Sequence, residues 1–228
     1  MIGTLRVLAV IPARGGSKGI PRKNLALLGG RPLVAWTIDA ALRSDHVDHV
    51  IVSTDDDDIA EAATTCGATV PFRRPADLAT DLASSAAVVR HAVEHVGGPF
   101  DIVVTLQPTS PLRPPDLVDR GVARLIETRA ASCVSLARLK HDPSWLFFVD
   151  DGDHTMRAAF PGPLTSRRQD ARAIFGLDGA FYATRVADLM ASGSLLAPPC
   201  VAIVNDGRML DIDDADDLLI AQALVRGA

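Results

Sequence analysis

Short apolar runs rich in valine and isoleucine alternate along this chain with segments of helical periodicity. The predicted strands span residues 5–11, 49–53, 68–72, 101–106, 132–137, 179–185 and 200–205. The predicted helices span residues 33–42, 58–66, 84–96, 115–127, 186–191 and 215–225. Because the strand runs are continuously apolar rather than alternating, both faces of each strand are expected to be covered. The pattern therefore predicts an α/β fold, a three-layer sandwich around a mainly parallel sheet.

The length of the chain, 228 residues, suits one α/β domain over residues 1–228. Its rhythm breaks from about residue 138 to 175, a stretch that contains several prolines and little periodic apolar pattern. We therefore predict that this segment is an excursion from the sheet. Its apolar run at 145–148 fits either a surface for a partner subunit or a hairpin folded onto its own domain.

The first predicted strand runs into a glycine-rich basic loop, and residues 8–24 read LAVIPARGGSKGIPRKN. Four cations lie in this loop, at Arg14, Lys18, Arg22 and Lys23. Glycines let backbone N–H groups approach phosphate oxygens, and the cations neutralise phosphate charge, although a glycine cluster alone also fits a tight turn. The GxxxxGK[ST] pattern is absent, and Pro21 disfavours the helix start of a dinucleotide site. The loop predicts a small polyphosphate ligand.

Further polar motifs follow other predicted strands. They are STDD at 53–56, RRPADLATD at 73–81 and LQPTSPLR at 106–113. In parallel sheets, ligands bind beyond the carboxyl ends of the strands, where the connecting loops gather. These motifs are therefore expected to meet the basic loop at one edge of the sheet.

Near the end of the chain, Asp211 and Asp213 flank Ile212 at strand spacing and are expected to point to one side. Two carboxylates on one face suit Mg²⁺. The alternative for residues 214–217, which are also acidic, is that they only favour a helix N-terminus. Asp211 differs because it lies inside an apolar run, where a carboxylate without a metal or partner is costly.

A polyphosphate loop and a carboxylate pair together suit a nucleoside triphosphate with Mg²⁺, and therefore nucleotidyl transfer. Arg14 and Lys23 would stabilise the departing pyrophosphate. Because the chain offers no Ser–His–Asp spacing and no evident cysteine nucleophile, direct displacement by an acceptor oxygen is expected. His91 and His95, at i and i+4, are expected to decorate a helix rather than bind a metal.

Composition limits the classes of partner that the protein is expected to bind and the cellular compartment that it suits. A net charge of −5 and a pI near 5.6 argue against nucleic acid and anionic membranes as partners. No signal peptide is evident, and no apolar run approaches the roughly 20 residues of a membrane span. Cys66, Cys133 and Cys200 lack metal-ligand spacing and are expected to be buried free thiols, which suits a cytoplasmic protein.

The motifs, taken together, resemble those of the CMP-sialic acid synthetases, also called acylneuraminate cytidylyltransferases. The resemblance runs from Val7 to Leu219 and is carried, in order, by PARGGSKGIPRKN, VSTDD, RRPADLATDLASS, LQPTSPLR, SRRQD, DGAFY and LDIDD. It implies a Rossmann-like, glycosyltransferase-A-like nucleotidyltransferase sheet. It also implies transfer of CMP from CTP to the anomeric hydroxyl of a nine-carbon 2-keto sugar acid, with Mg²⁺, release of pyrophosphate, and a homodimer.

The resemblance also implies roles for individual residues. For CTP it implies contacts at Arg14, Gly15, Gly16, Ser17, Lys18, Lys23, Asn24, Arg74 and Ser85, the last three with the cytidine. Asp211 and Asp213 match the metal-binding pair, Gln107 a residue that faces the sugar, and Arg168 a residue that reaches the acceptor from the partner subunit. Without the resemblance, Arg74 would be interpreted as a solvated surface cation, and Arg168 could belong to a solvated face. For Gln107, a hydrogen bond to the turn before Pro108 fits the sequence as well as a sugar contact does.

Two departures from the family pattern lie on the acceptor side. Asp178 stands where the family commonly has Asn, and Trp145 stands near a position where some sialic acid enzymes have a lysine. We expect both to contact the acceptor, Trp145 through an apolar or stacking contact, with Tyr182 as a further candidate. Other hypotheses are transfer to a different acceptor, such as a shorter 2-keto-3-deoxy acid or a phosphonate, and a silent CTP-binding homologue. The intact basic loop and carboxylate pair disfavour the silent protein.

Overall fold

The computed structural model describes residues 4–139, 142–160, 162–164, 173–206 and 210–227. The strands are β1 (Val7–Pro12), β2 (Leu27–Leu28), β3 (Arg31–Pro32), β4 (His49–Ser53), β5 (Ile102–Thr105), β6 (Ser132–Arg138), β7 (Phe147–Val149), β8 (Met156–Ala158), β9 (Phe175–Arg185) and β10 (Cys200–Val204). The helices are α1 (Leu33–Leu42), α2 (Asp57–Thr65), α3 (Ser85–Val96), α4 (Leu117–Thr128), α5 (Val186–Ser192) and α6 (Ala215–Arg226). Short 3-10 turns occupy Lys23–Leu25, Ala76–Ala79 and Pro143–Trp145.

The central sheet has the strand order β10-β6-β9-β5-β1-β4. Its pairs are parallel except those of β9, which runs antiparallel to both β5 and β6. The prediction of a mainly parallel sheet is therefore confirmed. The direction of β9 follows from the excursion, because the chain leaves β6 at Arg138 and returns directly beside it, where Arg138 pairs with Phe175. A parallel return needs a crossover, usually through a helix, and none lies between these two strands among the described residues.

The prediction of a strand at 68–72 is wrong. This segment makes only isolated parallel bridges to the edge of the sheet, from Ile51 to Thr69 and from Thr54 to Arg73. Pro71 lies between these bridges and has no backbone N–H to donate, so it interrupts a continuous ladder. The segment nevertheless carries the chain along β4 and delivers the 73–81 motif to the carboxyl edge of the sheet.

Helices cover both faces of the sheet, as the three-layer prediction requires. On β1, Val7, Ala9 and Ile11 belong to a core that includes buried residues of α1, α2 and α4. Leu8 and Val10 face the opposite side, where they join buried residues of α3 and α5. Because successive strand residues point to opposite faces, an uninterrupted apolar run is what a doubly covered strand needs.

A third apolar cluster joins the two ends of the chain. Ile20 of the basic loop packs with Ile212, and α6 contributes Ala221 to the same cluster. The Ile212 N–H also donates to the Thr109 carbonyl at 2.8 Å. Complete burial of an isoleucine side chain stabilises the fold by roughly 1.5–3 kcal/mol. This cluster therefore fixes the Asp211–Asp213 segment beside the basic loop.

The acidic run after Asp213 begins α6. The Asp214 carboxylate caps the helix by accepting from the N–H groups of Asp216 and Asp217, and the Asp217 carboxylate accepts from the N–H of Asp214. This reciprocal arrangement is a capping box. The helix N-terminus interpretation of residues 214–217 is therefore confirmed for Asp214 and Asp217.

The three cysteines differ in exposure, which corrects the expectation that all are buried. Cys133 is buried, and burial raises the pKa of its thiol to about 12. Cys66 is partly buried, whereas Cys200 is exposed. The difference arises because Cys200 lies on β10, the edge strand of the sheet, on the side where helices do not cover it.

The described part of the excursion contains the hairpin of β7 and β8, in which every residue is exposed. Its exposed apolar side chains belong to Leu139, Leu146, Phe147, Phe148, Val149, Met156, Phe160, Leu164 and Phe175. Across the described ranges, no helix is long and apolar enough to span a membrane.

Candidate active site

A cleft of about 430 Å³ opens at the carboxyl ends of β1 and β5, where the predicted motifs meet. Of the residues singled out from the sequence, the following line it: Arg14, Gly16, Ser17, Lys18, Lys23, Asn24, Arg74, Ser85, Gln107, Asp211 and Asp213. Gly15, Trp145, Asp178 and Tyr182 do not line the cleft of their own chain. Arg168 lies outside the described residues.

Hydrogen bonds from two side chains shape the basic loop. Asn24 is buried and donates through Nδ2 to the Arg14 carbonyl at 2.8 Å. The Gly15 N–H donates to Asp55 Oδ1 at 2.9 Å, so it is directed away from the cleft. A Cβ on Gly15 would lie 2.8 Å from Asp56 Oδ2. Close packing against the 53–56 motif therefore accounts for this glycine, and its predicted contact with CTP stays a prediction.

The four cations of the loop take different partners. Arg14 and Lys18 both pair with Asp81, while Lys23 Nζ lies 3.1 Å from Asp213 Oδ1. Arg22 instead pairs with Asp56 and Asp58 at the start of α2 and does not line the cleft. Three of the four cations therefore line the cleft, and the fourth anchors the loop to its neighbouring helix.

Gly19 brings the loop against the acidic segment. A Cβ at this position would lie 2.0 Å from the Asp213 carbonyl oxygen, a distance that no side chain could occupy. Glycine is therefore required by close backbone approach. Together with the Lys23–Asp213 pair, this contact joins two motifs that lie far apart in the sequence.

At the other end of the cleft, Arg74 is only 5% exposed. Its Nε donates to Ser53 Oγ at 3.0 Å, and its Nη2 donates to the Ser53 carbonyl. Burial lowers the pKa of Arg74 to about 10, despite the opposing charge of Asp55. The interpretation of Arg74 as a solvated surface cation is wrong. Ser85 begins α3 beside it, after the N-cap Ser84.

Asp211 lies at the junction of the cleft and the acidic segment. Packing of protein atoms around its carboxyl raises the pKa of Asp211, although the residue keeps solvent contact. A hydrogen bond with the Thr109 side chain opposes that shift, and the charge of Asp213 adds to it. Thr109 also lines the cleft. Thr109 was not predicted as a site residue, and its place in the LQPTSPLR motif is the signal that could have identified it.

Gln107 and Gly179 face each other across the floor beside Asp211. A Cβ on Gly179, where φ is +71°, would lie 2.8 Å from Gln107 Oε1 and 3.7 Å from Asp211 Oδ2. Glycine therefore leaves this part of the cleft open. The Gln107 carbonyl accepts from Arg113 Nη2 at 2.8 Å.

Arg113 is a buried positioning residue that the sequence analysis did not identify. It donates to the Ala180 carbonyl at 3.1 Å and to Thr37 Oγ1 at 2.9 Å. Burial lowers its pKa to about 10, with the charge of Asp178 acting in the opposite direction. Its guanidinium ties the LQPTSPLR turn to β9. In the sequence, the signal for this role is an arginine at the end of a polar motif.

Asp178, predicted to bind the acceptor, does not line the cleft of its own chain. The residue is 4% exposed, and its carboxylate accepts from the Ala180 N–H at 2.9 Å and from Asn205 Nδ2 at 3.1 Å. The Ser135 hydroxyl donates to the same carboxylate. Because a buried carboxylate needs such partners, internal hydrogen bonds occupy this side chain.

Tyr182 and Trp145 also do not line the cleft of their own chain. Tyr182 packs with the core under α3 and α5, and burial raises its pKa, with the charges of Asp178 and Asp211 adding to the effect. Trp145 ends a 3-10 turn in the excursion and is partly buried. Within one chain, neither prediction of an acceptor contact is supported by the cleft geometry.

No group of three or more histidine, cysteine, aspartate or glutamate side chains is arranged to hold a metal ion in the ranges that the structure describes. Asp211 and Asp213 are the carboxylates of the predicted metal pair, and both line the cleft. His91 and His95 stack on each other with ring centroids 3.9 Å apart and lie against Phe72. They therefore belong to the packing of α3.

Comparison with known proteins agrees with this arrangement. The cytidylyltransferase family profile matches residues 8–151. The chain is 34% identical over 230 residues to a CMP-N,N'-diacetyllegionaminic acid synthase of Legionella pneumophila, and the alignment covers 97% of both proteins. It is 31% identical over 226 residues to a pseudaminic acid cytidylyltransferase of Campylobacter jejuni, again over 97% of both.

Among solved structures, CMP:2-keto-3-deoxy-manno-octonic acid synthetase complexed with CTP superposes with a TM-score of 0.73. The superposition covers 97% of this chain and 99% of that chain at 19% identity, which shows a shared fold. The profile match, the end-to-end relatives and the motifs agree, and the chain belongs to the cytidylyltransferase family, in its CMP-sialic acid synthetase-like branch.

Proposed function

We propose that this protein transfers the CMP group of CTP to the anomeric hydroxyl of a nonulosonic acid and releases pyrophosphate. The observation that carries the proposal is the convergence of Arg14, Lys18 and Lys23 with Asp211 and Asp213 on one cleft. Cations for a polyphosphate thus lie against carboxylates suited to Mg²⁺ at the ligand-binding edge of an α/β sheet.

The triphosphate would lie along the basic loop. Arg14 and Lys18 offer exposed charges at the cleft mouth, and Lys23 is largely buried against Asp213. Charge-assisted hydrogen bonds to phosphate are stronger than neutral ones. Lys23 would stabilise the charge that develops on the leaving pyrophosphate, because its ammonium is already held beside the reacting end of the cleft.

The cytidine would lie at the opposite end, between Asn24, Arg74 and Ser85. The Arg74 guanidinium is held rigidly by Ser53, so it would present its remaining donors without first losing side-chain freedom. A buried donor that must be satisfied discriminates strongly among bases, because a base without matching acceptors leaves it unpaired. This supports a nucleotide-selective site rather than a general triphosphate site.

Asp211 and Asp213 fit the donor set that Mg²⁺ takes in nucleotide enzymes, which is one or two carboxylates completed by substrate phosphates and water. The Lys23 ammonium lies 3.1 Å from Asp213 Oδ1, and this cationic neighbour of one carboxylate supports a cation site here. We therefore assign Mg²⁺ to this pair. When bound, Mg²⁺ would supply neutralisation of charge on the phosphates.

The reaction would be a direct displacement. The anomeric oxygen forms a bond to the α-phosphorus, the bond from that phosphorus to the α–β bridging oxygen breaks, and pyrophosphate leaves with the bonding electrons. The hydroxyl proton passes toward the Asp211 and Asp213 carboxylates. Gln107 and the open floor at Gly179 lie beside Asp211, where the acceptor would approach.

The class of acceptor comes from the relatives. Two proteins that match this chain from end to end are named for legionaminic acid and pseudaminic acid, and both acids are nonulosonic. Asp178 is buried and therefore would influence the acceptor only through the position of β9.

We also propose a homodimer, formed by the excursion. The β7–β8 hairpin exposes a concentration of apolar side chains that is unusual for a monomer surface. If the partner's excursion completes the acceptor site, two inactive variants in one dimer should rescue each other. Arg168→Ala should weaken use of the sugar acid while CTP binding stays near normal. Mixed with Asp211→Asn, it should recover about a quarter of wild-type activity, because random pairing leaves one native site in half of the dimers.

Pyrophosphate release by the purified protein with Mg²⁺ tests the function. CTP, ATP, GTP and UTP would each be combined with N-acetylneuraminic, N,N'-diacetyllegionaminic, pseudaminic and 2-keto-3-deoxy-octonic acids. Release that requires CTP and a nine-carbon acid supports the proposal. Release with only the eight-carbon acid would support the alternative acceptor, and tight CTP binding without release would support a silent homologue.

A further inference from the structure

The carboxylate of Asp81 lies between two of the cations that the triphosphate needs. Its Oδ1 is 2.5 Å from Arg14 Nη2, and its Oδ2 is 2.8 Å from Lys18 Nζ. All three residues line the cleft. One anionic group thus presents a separate oxygen to each cation, which is the way a phosphate group would contact the same pair.

The segment that carries Asp81 is weakly held by other contacts. Between the buried Arg74 and the buried Val88, no residue of the described chain is buried, and Leu82 is 96% exposed. The backbone hydrogen bonds of this segment are local, from Leu78 to Pro75 and from Ala83 to Thr80. The Asp81 ion pairs therefore join this segment to the basic loop across the cleft mouth.

We propose that Asp81 is an internal substitute for the triphosphate, which ties the 75–84 segment to the basic loop in the free enzyme and is displaced when CTP binds. This inference rests on the proposed function, because it takes Arg14 and Lys18 as triphosphate ligands. It adds a residue that controls nucleotide entry and pyrophosphate release, and that residue is not itself a ligand of the nucleotide.

The exposure of the three side chains makes the exchange feasible. Lys18 is 82% exposed and Asp81 is 41% exposed, so water screens both ion pairs. A polyphosphate carries several negative charges and can hold both cations more strongly than one carboxylate. The Lys18 and Arg14 hydrogen bonds hold the pKa of the Asp81 carboxyl below its usual value, so Asp81 remains charged at neutral pH.

The same exchange would operate in reverse after the reaction. Pyrophosphate remains on Arg14 and Lys18 when the CMP group has left, and Asp81 competes for the same two cations. When the Asp81 carboxylate pairs again with Arg14 and Lys18, it would favour departure of pyrophosphate. Removal of the Asp81 charge should therefore strengthen the binding of both CTP and pyrophosphate. If Asp81 instead helped to bind the nucleotide, its removal would weaken the binding of both.

The experiment compares wild type with Asp81→Asn, and uses Asp77→Asn on the same segment as the matched control. Calorimetry would measure the dissociation constants of inorganic pyrophosphate, CTP and cytidine. Asp81→Asn should lower those of pyrophosphate and CTP about three- to tenfold, the size expected when two competing exposed ion pairs are removed. Cytidine, which has no phosphate, should bind unchanged, and Asp77→Asn should match wild type throughout.

Pyrophosphate affinity in Asp81→Asn that is unchanged or weaker overturns the inference, and so does an equal shift for cytidine. Failure of the proposed function would look different, because wild type would then show no preference for CTP over ATP, GTP and UTP. Unfolding midpoints of the three proteins should agree, since the substituted side chains are exposed.

Discussion

The cleft and the excursion are built in opposite ways. In the cleft, Asn24 and Arg74 are buried and hydrogen-bonded, and the basic loop packs against the acidic segment at Gly19. In the described part of the excursion, the hairpin residues are all exposed, and its apolar side chains have no core of their own chain to enter. One chain can therefore preorganise the nucleotide site, whereas the exposed hairpin would gain burial in the homodimer proposed above.

This difference separates binding of the nucleotide from use of the acceptor. Changes in the cleft should alter CTP binding or turnover in any oligomeric state. Changes in the excursion should leave CTP binding intact and affect only the acceptor and the assembly.

Asp211→Asn should reduce turnover by about a hundredfold or more, because it removes a carboxylate from the pair assigned to Mg²⁺. Initial rates of pyrophosphate release would measure this effect, with Asp216→Asn in the same acidic run as the control. Asp216 lies in the first turn of α6 and does not line the cleft. Near-normal turnover in Asp211→Asn would remove the metal assignment.

Gly19→Ala should destabilise the protein by about 1–3 kcal/mol and impair turnover, because the new Cβ would overlap the Asp213 carbonyl and push the acidic segment away. Denaturant unfolding and pyrophosphate release would measure the two effects. Gly16→Ala is the stability control, since a Cβ there meets nothing within 4 Å. Equal unfolding free energies for the two variants would show that the loop and the acidic segment are not in close contact.

The double variant Val149→Asp and Met156→Lys should convert dimers into monomers and raise the KM for the acid about tenfold or more. These residues are cross-strand partners on the hairpin, so the introduced opposite charges should preserve β7–β8 pairing. The dissociation constant for CTP should stay within twofold of wild type. Light scattering, calorimetry and acceptor kinetics would test this, with Leu219→Lys as an exposed apolar control on α6.

A monomer that uses the acid as well as wild type would show that each chain binds its acceptor alone. A monomer that loses CTP binding would show that the nucleotide site also depends on the partner. Either result would remove the division between the two regions.

The smallest effect concerns His91, which packs behind the cytidine end. Burial lowers its pKa, and the positive charges of His95 and Arg74 contribute. In the unfolded chain His91 would protonate near its ordinary pKa of about 6.5, and in the folded chain only at lower pH. Stability should therefore fall as pH drops below about 6.5. His91→Phe keeps an aromatic ring against His95 and should reduce the loss of stability at low pH. Denaturant unfolding at pH 7.5 and 5.5 would measure the loss in both proteins. An equal loss in the variant would contradict its assignment to protonation of His91.

Much of the fold could be predicted because local pattern and tertiary environment agree. The apolar run at 49–53 and the periodic segment at 33–42 form β4 and α1 with the expected bounds. The direction of β9 was not predictable from its own residues, because it depends on how the chain returns from the excursion to lie beside β6. The segment at 68–72 was predicted as a strand but makes only isolated bridges. Pro71 interrupts its backbone hydrogen bonds, although the other side chains favour a strand.

The candidate site likewise contains residues that could be predicted from the sequence and residues that could not. Arg14, Lys23 and Asp211 could be found because cations and carboxylates near glycines indicate chemistry by their type and spacing. Asp178 could not be judged from type alone, since only the folded chain brings Ser135 and Asn205 to its carboxylate. Arg113 and Asp81 bond to residues that are distant in sequence. Their roles can therefore be recognised only from distances between atoms in the folded chain.

The most direct test of the account is the identity of the covalent product formed by wild-type protein from CTP, Mg²⁺ and N,N'-diacetyllegionaminic acid or another nine-carbon acid. Mass spectrometry of the reaction mixture would measure it, with Asp211→Asn as the inactive control. The account predicts a CMP conjugate of the acid, with one pyrophosphate released for each conjugate. A conjugate formed equally well from ATP or UTP, or CTP consumption without any conjugate, would contradict it.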